Sequence, residues 1–131
     1  MKKISKYGVK TDAIGKLERT CDGILFASKS ECRRYAELKL LEKAGKIEGL
    51  ELQPKFALTT QLTTGTVRGA GQALAGKYPV IGHYVADFKY FCLEAPTGWI
   101  VEDVKGVKTA LYRWKKKHVE AQYGVQIVEV P

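Results

Sequence analysis

The chain has 131 residues, of which 45% are apolar and 27% charged, and its net charge is +8. This length is typical of a single domain and the apolar fraction can bury one core, so wholesale disorder and two independent cores are excluded.

Residues 1–19 and residues 105–131 each carry a net charge of +4, whereas the middle of the chain is nearly neutral. Basic ends around a mildly acidic centre favour a protein that holds the phosphate backbone of a nucleic acid. A basic protein of unrelated function is the alternative.

Neither a membrane anchor nor a secretion signal is predicted. No window approaches the ~18 uninterrupted apolar residues of a membrane span, and no apolar run follows the charged N-terminus. The cysteines Cys21, Cys32 and Cys92 are odd in number and lack C-x-x-C spacing. This pattern argues against a disulfide framework and a structural zinc site, and it predicts reduced, mostly buried thiols in a soluble cytoplasmic protein.

The N-terminal third is predicted to contain a flexible arm and one helix. Residues 1–20 are rich in Lys and show no sustained hydrophobic period, so we interpret them as a basic arm. Ser28 and Glu31 have the spacing of a capping box, which predicts a helix over residues 29–44 with Gly45 at its left-handed end. The apolar residues of one helix face are Tyr35, Leu38 and Leu41.

A strand, a polar loop and a hairpin are predicted in the middle of the chain. Apolar side chains at even positions between residues 50 and 58 predict a half-buried strand, in which Pro54 indicates an edge or a bulge. Residues 59–77 hold five Thr and four Gly with little periodicity, and we interpret them as a mobile loop. The β-branched and aromatic residues of 80–91 and 99–105 predict an antiparallel hairpin.

The last part of the chain is predicted to form a basic amphipathic helix and a final strand. The helix covers residues 109–123, ends at Gly124 and precedes an alternating strand over residues 125–130. The stripe expected to pack in the core is Leu111, Trp114, His118 and Ala121. The order of elements is therefore αβββαβ, an α/β fold with a mixed sheet flanked by helices, in which residues 21–131 form one domain.

The hairpin predicts a site made of two aspartates and a lysine. If its turn centres near Ala95, Asp87 lies opposite Asp103, and Lys105 projects from the same face as Asp103 because side chains alternate along a strand. Opposed carboxylates repel unless a cation lies between them, and Mg²⁺ takes one or two carboxylates together with water and phosphate oxygens. Lys105 would orient a water or stabilise charge on a phosphate. A solvated strand face with an ordinary Asp–Lys pair is the alternative.

Glu31 supports two interpretations. It completes the capping box, and it also begins the helix face that continues as Tyr35 and Leu38. A carboxylate at the inner edge of a core needs a partner, such as a metal-bound water or a basic residue. Glu102 neighbours Asp103 but points to the opposite face of its strand, so we expect a structural role for it.

Basic residues follow the strand that carries Lys105. They are Lys108, Arg113, Lys115, Lys116 and Lys117. Such a cluster is often only a solvated helix face, but its position directly after the strand favours contact with phosphates. We expect Tyr112 and Trp114 in the core rather than as platforms for stacked bases, and His118 as a packed, hydrogen-bonded residue. His83 fits either a structural role or a ligand.

Four blocks of the sequence resemble a known family. They are Gly23-x-x-Phe26-x-Ser28-Lys29-x-Glu31-x-Arg33-x-Tyr35, Leu52-Gln53-Pro54-Lys55-Phe56, Tyr84-Val85-Ala86-Asp87-Phe88 and Glu102-Asp103-Val104-Lys105-Gly106. Over residues 20–130 the chain resembles a family of small phage and prophage nucleases of the PD-(D/E)XK superfamily, long catalogued only as a domain of unknown function. Residues 59–77 depart from the tighter connection expected of that family.

The resemblance implies a Mg²⁺-dependent endodeoxyribonuclease, with Mn²⁺ as a substitute, that acts in DNA recombination in the cytoplasm of the host cell. Its implied catalytic residues are Lys105 and three metal-binding acids, Asp87, Asp103 and Glu31, with Gln53 in an accessory or structural place. Four-way junctions, flaps, nicked duplexes and plain duplexes are the candidate DNA substrates. A homodimer is expected because a single small site must cut two strands. The alternative from another class is a non-catalytic DNA-binding module.

Overall fold

The computed structural model of the protein describes residues 13–60 and 78–131. Its elements in chain order are helix α1 (Ala13–Glu18), strands β1 (Thr20–Cys21) and β2 (Ile24–Leu25), helix α2 (Lys29–Lys43), strands β3 (Glu48–Leu52), β4 (Lys55–Thr59), β5 (Val80–Val85), β6 (Phe88–Phe91) and β7 (Trp99–Val104), helix α3 (Ala110–Tyr123) and strand β8 (Ile127–Val130). The described end of the predicted arm is thus helical. Residues 1–12 and 61–77, which hold the rest of the arm and most of the predicted loop, lie outside the described residues.

The centre of the fold is a mixed sheet of four strands in the order β3-β6-β7-β8. The first three strands pair antiparallel, and β7 pairs with β8 in parallel, because α3 returns the chain to the same end of the sheet. Two smaller ladders join β1 to β2 and β4 to β5. The predicted α/β fold with a mixed sheet flanked by helices is confirmed.

Two apolar clusters cover opposite faces of this sheet. On one face, Leu38 of α2 packs with Phe88 and Tyr90 of β6. On the other, Val119 of α3 packs with Val101 of β7, and the β4–β5 ladder joins the same cluster. Since successive side chains of a strand point to opposite faces, neighbouring residues of β7 serve different layers. None of the helices in the described ranges is long and apolar enough to cross a membrane.

The predicted strands 50–58 and 80–91 are both bent, and each forms two strands instead of one. The residue pairing has the same register before and after the bend, so β3–β4 and β5–β6 are two halves of one long antiparallel pair. At the bend, the Gln53 amide donates a hydrogen bond to the Asp87 carbonyl at 2.9 Å. Gln53 has a positive φ of 49°, and Pro54 has no amide hydrogen for the ladder. The break in the predicted strand 50–58 lies at Gln53 and Pro54, where Pro54 indicated an edge or a bulge, whereas the positive φ of Gln53 has no signature in the apolar pattern.

Helix α2 begins as predicted. The Ser28 hydroxyl accepts a hydrogen bond from the Glu31 amide at 3.2 Å, and Gly45 follows the helix with a φ of 76°. Tyr35 and Leu38 are buried, whereas Leu41 is 37% exposed, so the predicted core face is correct for two of its three residues.

The hairpin register is confirmed. Phe88 pairs with Glu102 and Phe91 pairs with Trp99, which is the alignment expected for a turn centred near Ala95. Gly98 closes this turn with a φ of 81°, and a side chain there would collide with the Phe91 ring.

Helix α3 ends at Tyr123 as predicted and begins one residue later than predicted, at Ala110, but it buries a different face. Thr109 caps its first turn and Gly124 ends it in the left-handed conformation. Tyr112 and Val119 are buried, whereas Leu111 is 64% exposed and Trp114 62% exposed. The predicted core stripe is therefore wrong, and so is the prediction of a buried Trp114. Apolar residues lie on two sides of this helix, and periodicity alone does not say which side packs.

Cys21 and Cys32 form a disulfide, so the prediction of reduced cysteines is wrong for this pair. A turn at Asp22 and Gly23, both with positive φ, folds β2 back on β1 and brings Cys21 to the first turns of α2. The two Cα atoms lie 6.0 Å apart, within the range that disulfide geometry requires. Cysteine spacing could not predict the pair because the contact depends on how β1 packs on α2. Cys92 is the free cysteine of the described residues, and the argument from cysteines for a reducing compartment no longer holds.

Candidate functional site

The structure brings Asp87, Asp103 and Lys105 together at the end of β7. Asp87 lies at the bend before β6, and its carboxylate accepts a hydrogen bond from the Val104 amide at 2.6 Å. Asp103 is 1% exposed, and its Oδ1 atom lies 3.2 Å from the Lys105 Nζ atom. The predicted cluster is therefore formed by the hairpin register together with the bend at Asp87.

Two tyrosines that the sequence analysis did not place in the site complete its wall. The Tyr84 hydroxyl donates a short hydrogen bond to Oδ2 of Asp103. Burial and the Asp103 carboxylate raise the pKa of Tyr84 far above its usual range, so this hydroxyl stays protonated and donates. The Lys105 amine lies 4.7 Å from the centre of the Tyr112 ring, a cation–π contact that orients it. The available signal for Tyr84 was its place in the same short sequence block as Asp87, three residues before it.

The carboxylates form one electrostatic unit. Burial, Glu31 and Asp103 together raise the pKa of Asp87 from 3.8 to about 7, against a smaller lowering by the Val104 amide. Burial raises the pKa of Glu31 as well, and Asp103 adds to this effect while Lys105 and the Ala27 amide oppose it. Glu31 therefore lies within the field of the cluster and also within the cap of α2, and its role in a metal site stays a prediction.

The donor chemistry of this cluster suits a hard divalent cation. Within the described residues, no three His, Cys, Asp or Glu side chains are arranged to hold a metal ion. Mg²⁺, however, needs only one or two carboxylates and completes its coordination with water and phosphate oxygens. Asp103 raises the energy of the charged form of Asp87, and a cation relieves that repulsion. The pair thus fits Mg²⁺, while the described residues do not provide a complete metal cage.

The raised pKa of Asp87 predicts how the metal-free protein responds to pH. The pKa of Asp87 is higher in the folded chain than in the unfolded chain, so protonation of Asp87 stabilises the fold. This contribution to stability is complete below the pKa of the unfolded chain and is lost as the pH rises through about 7. In EDTA, we expect the melting temperature to fall between pH 5 and pH 8. The fall should be smaller in Asp87→Asn, and thermal melts of both proteins check it.

Mg²⁺ or Mn²⁺ should in turn raise the melting temperature of the wild type at pH 8, because a ligand of the folded state alone stabilises that state. The shift should shrink in Asp87→Asn and persist in Asp22→Asn, a matched control whose carboxylate accepts a hydrogen bond from Tyr35 instead. Equal shifts in the wild type and in Asp87→Asn would remove Asp87 from any metal site.

An open cleft of about 320 Å³ lies directly beside Asp103 and Lys105. Its other walls include Tyr84, Tyr112, Leu111 and Lys115. A larger cavity of about 760 Å³ lies elsewhere, between α2 and the β1–β2 turn, and contains none of the clustered acids. The smaller cleft is the better candidate for a substrate because Asp103 and Lys105 both line it.

The basic residues after β7 divide into two groups. Lys108 and Lys116 pair with Glu129, both at 3.4 Å, and the Lys115 amine donates to the His83 carbonyl at 2.9 Å. Within the described residues, Arg113 and Lys117 are exposed and have no side-chain partner. These two are therefore the basic side chains of α3 that are free to contact a phosphate.

The remaining candidates lie away from the acids. Glu102 is 1% exposed and pairs with Arg34 of α2 at 2.8 Å, on the opposite face from Asp103 as predicted. The Gln53 side chain is exposed, and the residue contributes its backbone to the bend, which is the structural role left open for it. A ring nitrogen of His118 lies 2.8 Å from the Thr59 carbonyl, so His118 is hydrogen-bonded as predicted. His83 lines the cleft with an exposed side chain.

The chain belongs to a protein family described as "Protein of unknown function (DUF1064)", whose family model matches residues 5–128. No curated protein and no solved structure matches it. The resemblance found in the sequence is thereby confirmed as far as a domain of unknown function. The nuclease activity and the PD-(D/E)XK relationship stay predictions.

Proposed function

We propose that the protein is a Mg²⁺-dependent endodeoxyribonuclease of the PD-(D/E)XK type that hydrolyses phosphodiester bonds of DNA. One observation supports the proposal above all others. Asp87, Asp103 and Lys105 lie together in a half-buried cluster that opens into a cleft, and Glu31 lies within the field of the cluster. Two or more acids with one lysine beside an open cleft suit the cleavage of a phosphodiester.

In this proposal the acids hold the cation, and Lys105 acts on the phosphate. A bound Mg²⁺ or Mn²⁺ supplies a Lewis acid and an activated water. Asp87 and Asp103 would hold the cation, and Glu31, which lies within their field, would be the third acid of the site. The Lys105 amine, set by Asp103 and the Tyr112 ring, stabilises the negative charge that develops on the phosphate. Water adds to phosphorus and gives up a proton to solvent, the bond from phosphorus to the leaving sugar oxygen breaks, and that oxygen takes up a proton from solvent.

A non-catalytic DNA-binding module is the second candidate. It is favoured by one observation: both carboxylate oxygens of Asp103 already have protein partners, the Tyr84 hydroxyl and the Lys105 amine. In such a module this Asp103 network would only stabilise the fold, and binding to DNA would not depend on metal.

Purified protein incubated with labelled linear, nicked, flap and four-way DNA, with Mg²⁺ or with EDTA, distinguishes the two candidates. The nuclease proposal expects cleavage of at least one substrate with Mg²⁺ and none with EDTA. Binding without cleavage, equal in both conditions, would establish the module instead. The proposal also expects a homodimer in solution and a cytoplasmic location, which light scattering and cell fractionation would check.

The variant Glu31→Gln distinguishes a helix-capping role of Glu31 from a role in DNA cleavage. A Gln oxygen can still accept the hydrogen bond from the Ala27 amide, but the charge near Asp87 and Asp103 is removed. We expect cleavage to fall at least ~10-fold while the melting temperature holds or rises. Melts and cleavage assays on the same preparations measure both, with Glu37→Gln as the control for removing an exposed charge from α2. Full activity with lower stability would assign Glu31 to the helix alone.

Arg113 and Lys117 are expected to contribute to the salt dependence of DNA binding. Removing one side chain that binds a phosphate should lower the slope of log affinity against log salt by about 0.9 for duplex DNA. Fluorescence anisotropy over a range of salt concentrations would measure this for the double variant Arg113→Ala/Lys117→Ala. Lys116→Ala is the control, because its amine is paired with Glu129. An unchanged slope would mean that this face of α3 points away from DNA, and the N-terminal lysines would become the candidates.

A further inference from the structure

An exposed aromatic side chain on α3 has no function in the proposed mechanism. Trp114 is 62% exposed, and its ring lies against the His118 ring with 5.9 Å between the ring centres. Leu111, one turn earlier, is 64% exposed. Burying a Trp face is strongly favourable, so a large exposed ring next to a second apolar side chain marks a binding surface.

The charges around this ring indicate the chemistry of its partner. Arg113 and Lys117 lie one helical turn apart beside Trp114, and neither has a side-chain partner within the described residues. Their neighbours Lys115 and Lys116, in contrast, are held by His83 and by Glu129. Both free cations lie on the same side of the Trp114 ring, as the phosphates of a single strand lie along one side of a base that stacks on an aromatic ring.

This surface is continuous with the cleft of the candidate site. Leu111 lines the cleft that contains Asp103 and Lys105, and Trp114 follows it by three residues, about 4.5 Å along the helix axis. A strand whose phosphate lies beside Lys105 could therefore place a neighbouring base on the Trp114 ring.

We infer that Leu111, Arg113, Trp114, Lys117 and His118 form a stacking face that binds unpaired DNA bases beside the cleft. The preferred substrates are then DNAs with a single-stranded segment, such as flaps or open branch points. This inference rests on the proposed function for the meaning of the cleft. A continuous duplex would not use the face, because its bases are stacked inside the helix and present no free ring surface.

The protein contains two tryptophans, which makes the test direct. Trp99 is the matched control, since its ring already packs edge-on against Phe91 at 5.3 Å and lies 4.8 Å from the Lys89 amine. Trp99→Phe leaves Trp114 as the single tryptophan, and Trp114→Phe leaves Trp99. Each protein is titrated with oligothymidylate in EDTA while tryptophan fluorescence is recorded. We expect quenching in the wild type and in Trp99→Phe, and none in Trp114→Phe.

Affinities measured in parallel test the preference for single strands. Trp114→Ala should weaken binding of oligothymidylate roughly 5- to 100-fold, the effect of removing one stacked base, and should leave the affinity for a blunt duplex of equal length nearly unchanged. An equal loss for both DNAs, or no quenching in Trp99→Phe, would overturn the inference. A third outcome would also overturn the inference: the protein self-associates in sedimentation, and Trp114→Ala abolishes this self-association without changing the affinity for DNA. The surface would then bind a second copy of the protein.

These measurements need no catalysis, so they separate the two proposals. If DNA quenches the fluorescence of Trp114 but the protein does not cleave DNA, the proposed nuclease activity is refuted and the stacking face is supported. If the protein cleaves DNA with Mg²⁺ but Trp114 is not quenched, the nuclease activity is supported and the stacking face is refuted.

Discussion

Replacing Asp103 by Asn, or Lys105 by Ala, is expected to lower DNA cleavage by at least ~10²-fold while the affinity for DNA changes little. Asp103 is 1% exposed and links the Tyr84 hydroxyl to the Lys105 amine, so it positions the lysine, and under the proposed function it would also hold the cation. An Asn oxygen can still accept from Tyr84, but the negative charge is gone. The Lys105→Ala variant removes the charge that faces the phosphate and leaves the acids in place.

Single-turnover cleavage and anisotropy on the same DNA separate the chemical step from binding. Lys108→Ala is the matched control for Lys105, because Lys108 lies three residues along the chain and pairs with Glu129 rather than with Asp103. Because its amine is held by Glu129, Lys108→Ala should leave the affinity, the salt dependence and the single-turnover rate nearly unchanged. Wild-type rates in Asp103→Asn or Lys105→Ala, with melts that show folded proteins, would contradict the assignment of both residues.

The core of this site could be predicted because few physical rules determine it. A turn position and the period of two along a strand are enough to align Phe88 with Glu102, and that alignment carries Asp87 towards Asp103 and Lys105. The capping box likewise predicts where α2 begins, and hence that Glu31 lies in its first turn. Each of these inferences depends only on residues close together in the chain or across one hairpin.

The features that the sequence did not predict depend on contacts between distant elements. The bend at Gln53 requires a positive φ, which a Gln adopts here because its amide bonds to the Asp87 carbonyl across the ladder. The exposed position of Trp114 depends on which side of α3 meets the sheet. The disulfide of Cys21 depends on how β1 packs on α2. Alternation and spacing contain no information about any of these contacts.

The second large effect is expected at the ion pair between Arg34 and Glu102, which no pattern in the sequence indicated. Glu102 is 1% exposed, and Arg34 contacts its carboxylate through two nitrogens, at 2.8 and 3.2 Å. Removing one partner of a buried pair leaves an uncompensated charge and costs ~3–5 kcal/mol. For a chain of this size, Arg34→Met should therefore lower the melting temperature by roughly 10 to 20 °C.

The pair also joins the two halves of the candidate site, which makes its removal informative about function. Arg34 follows Glu31 by one turn of α2, and Glu102 precedes Asp103 on β7, so this contact sets the position of Glu31 relative to Asp103.

The double variant Arg34→Met/Glu102→Leu should recover most of the stability, because no charge remains buried without a partner. Lys39→Ala, which breaks an exposed pair on the same helix, should change the melting temperature little. If the double variant is stable and still cleaves DNA at the wild-type rate, packing alone positions α2. A stable double variant with reduced cleavage would show that the ion pair aligns Glu31 with the two aspartates.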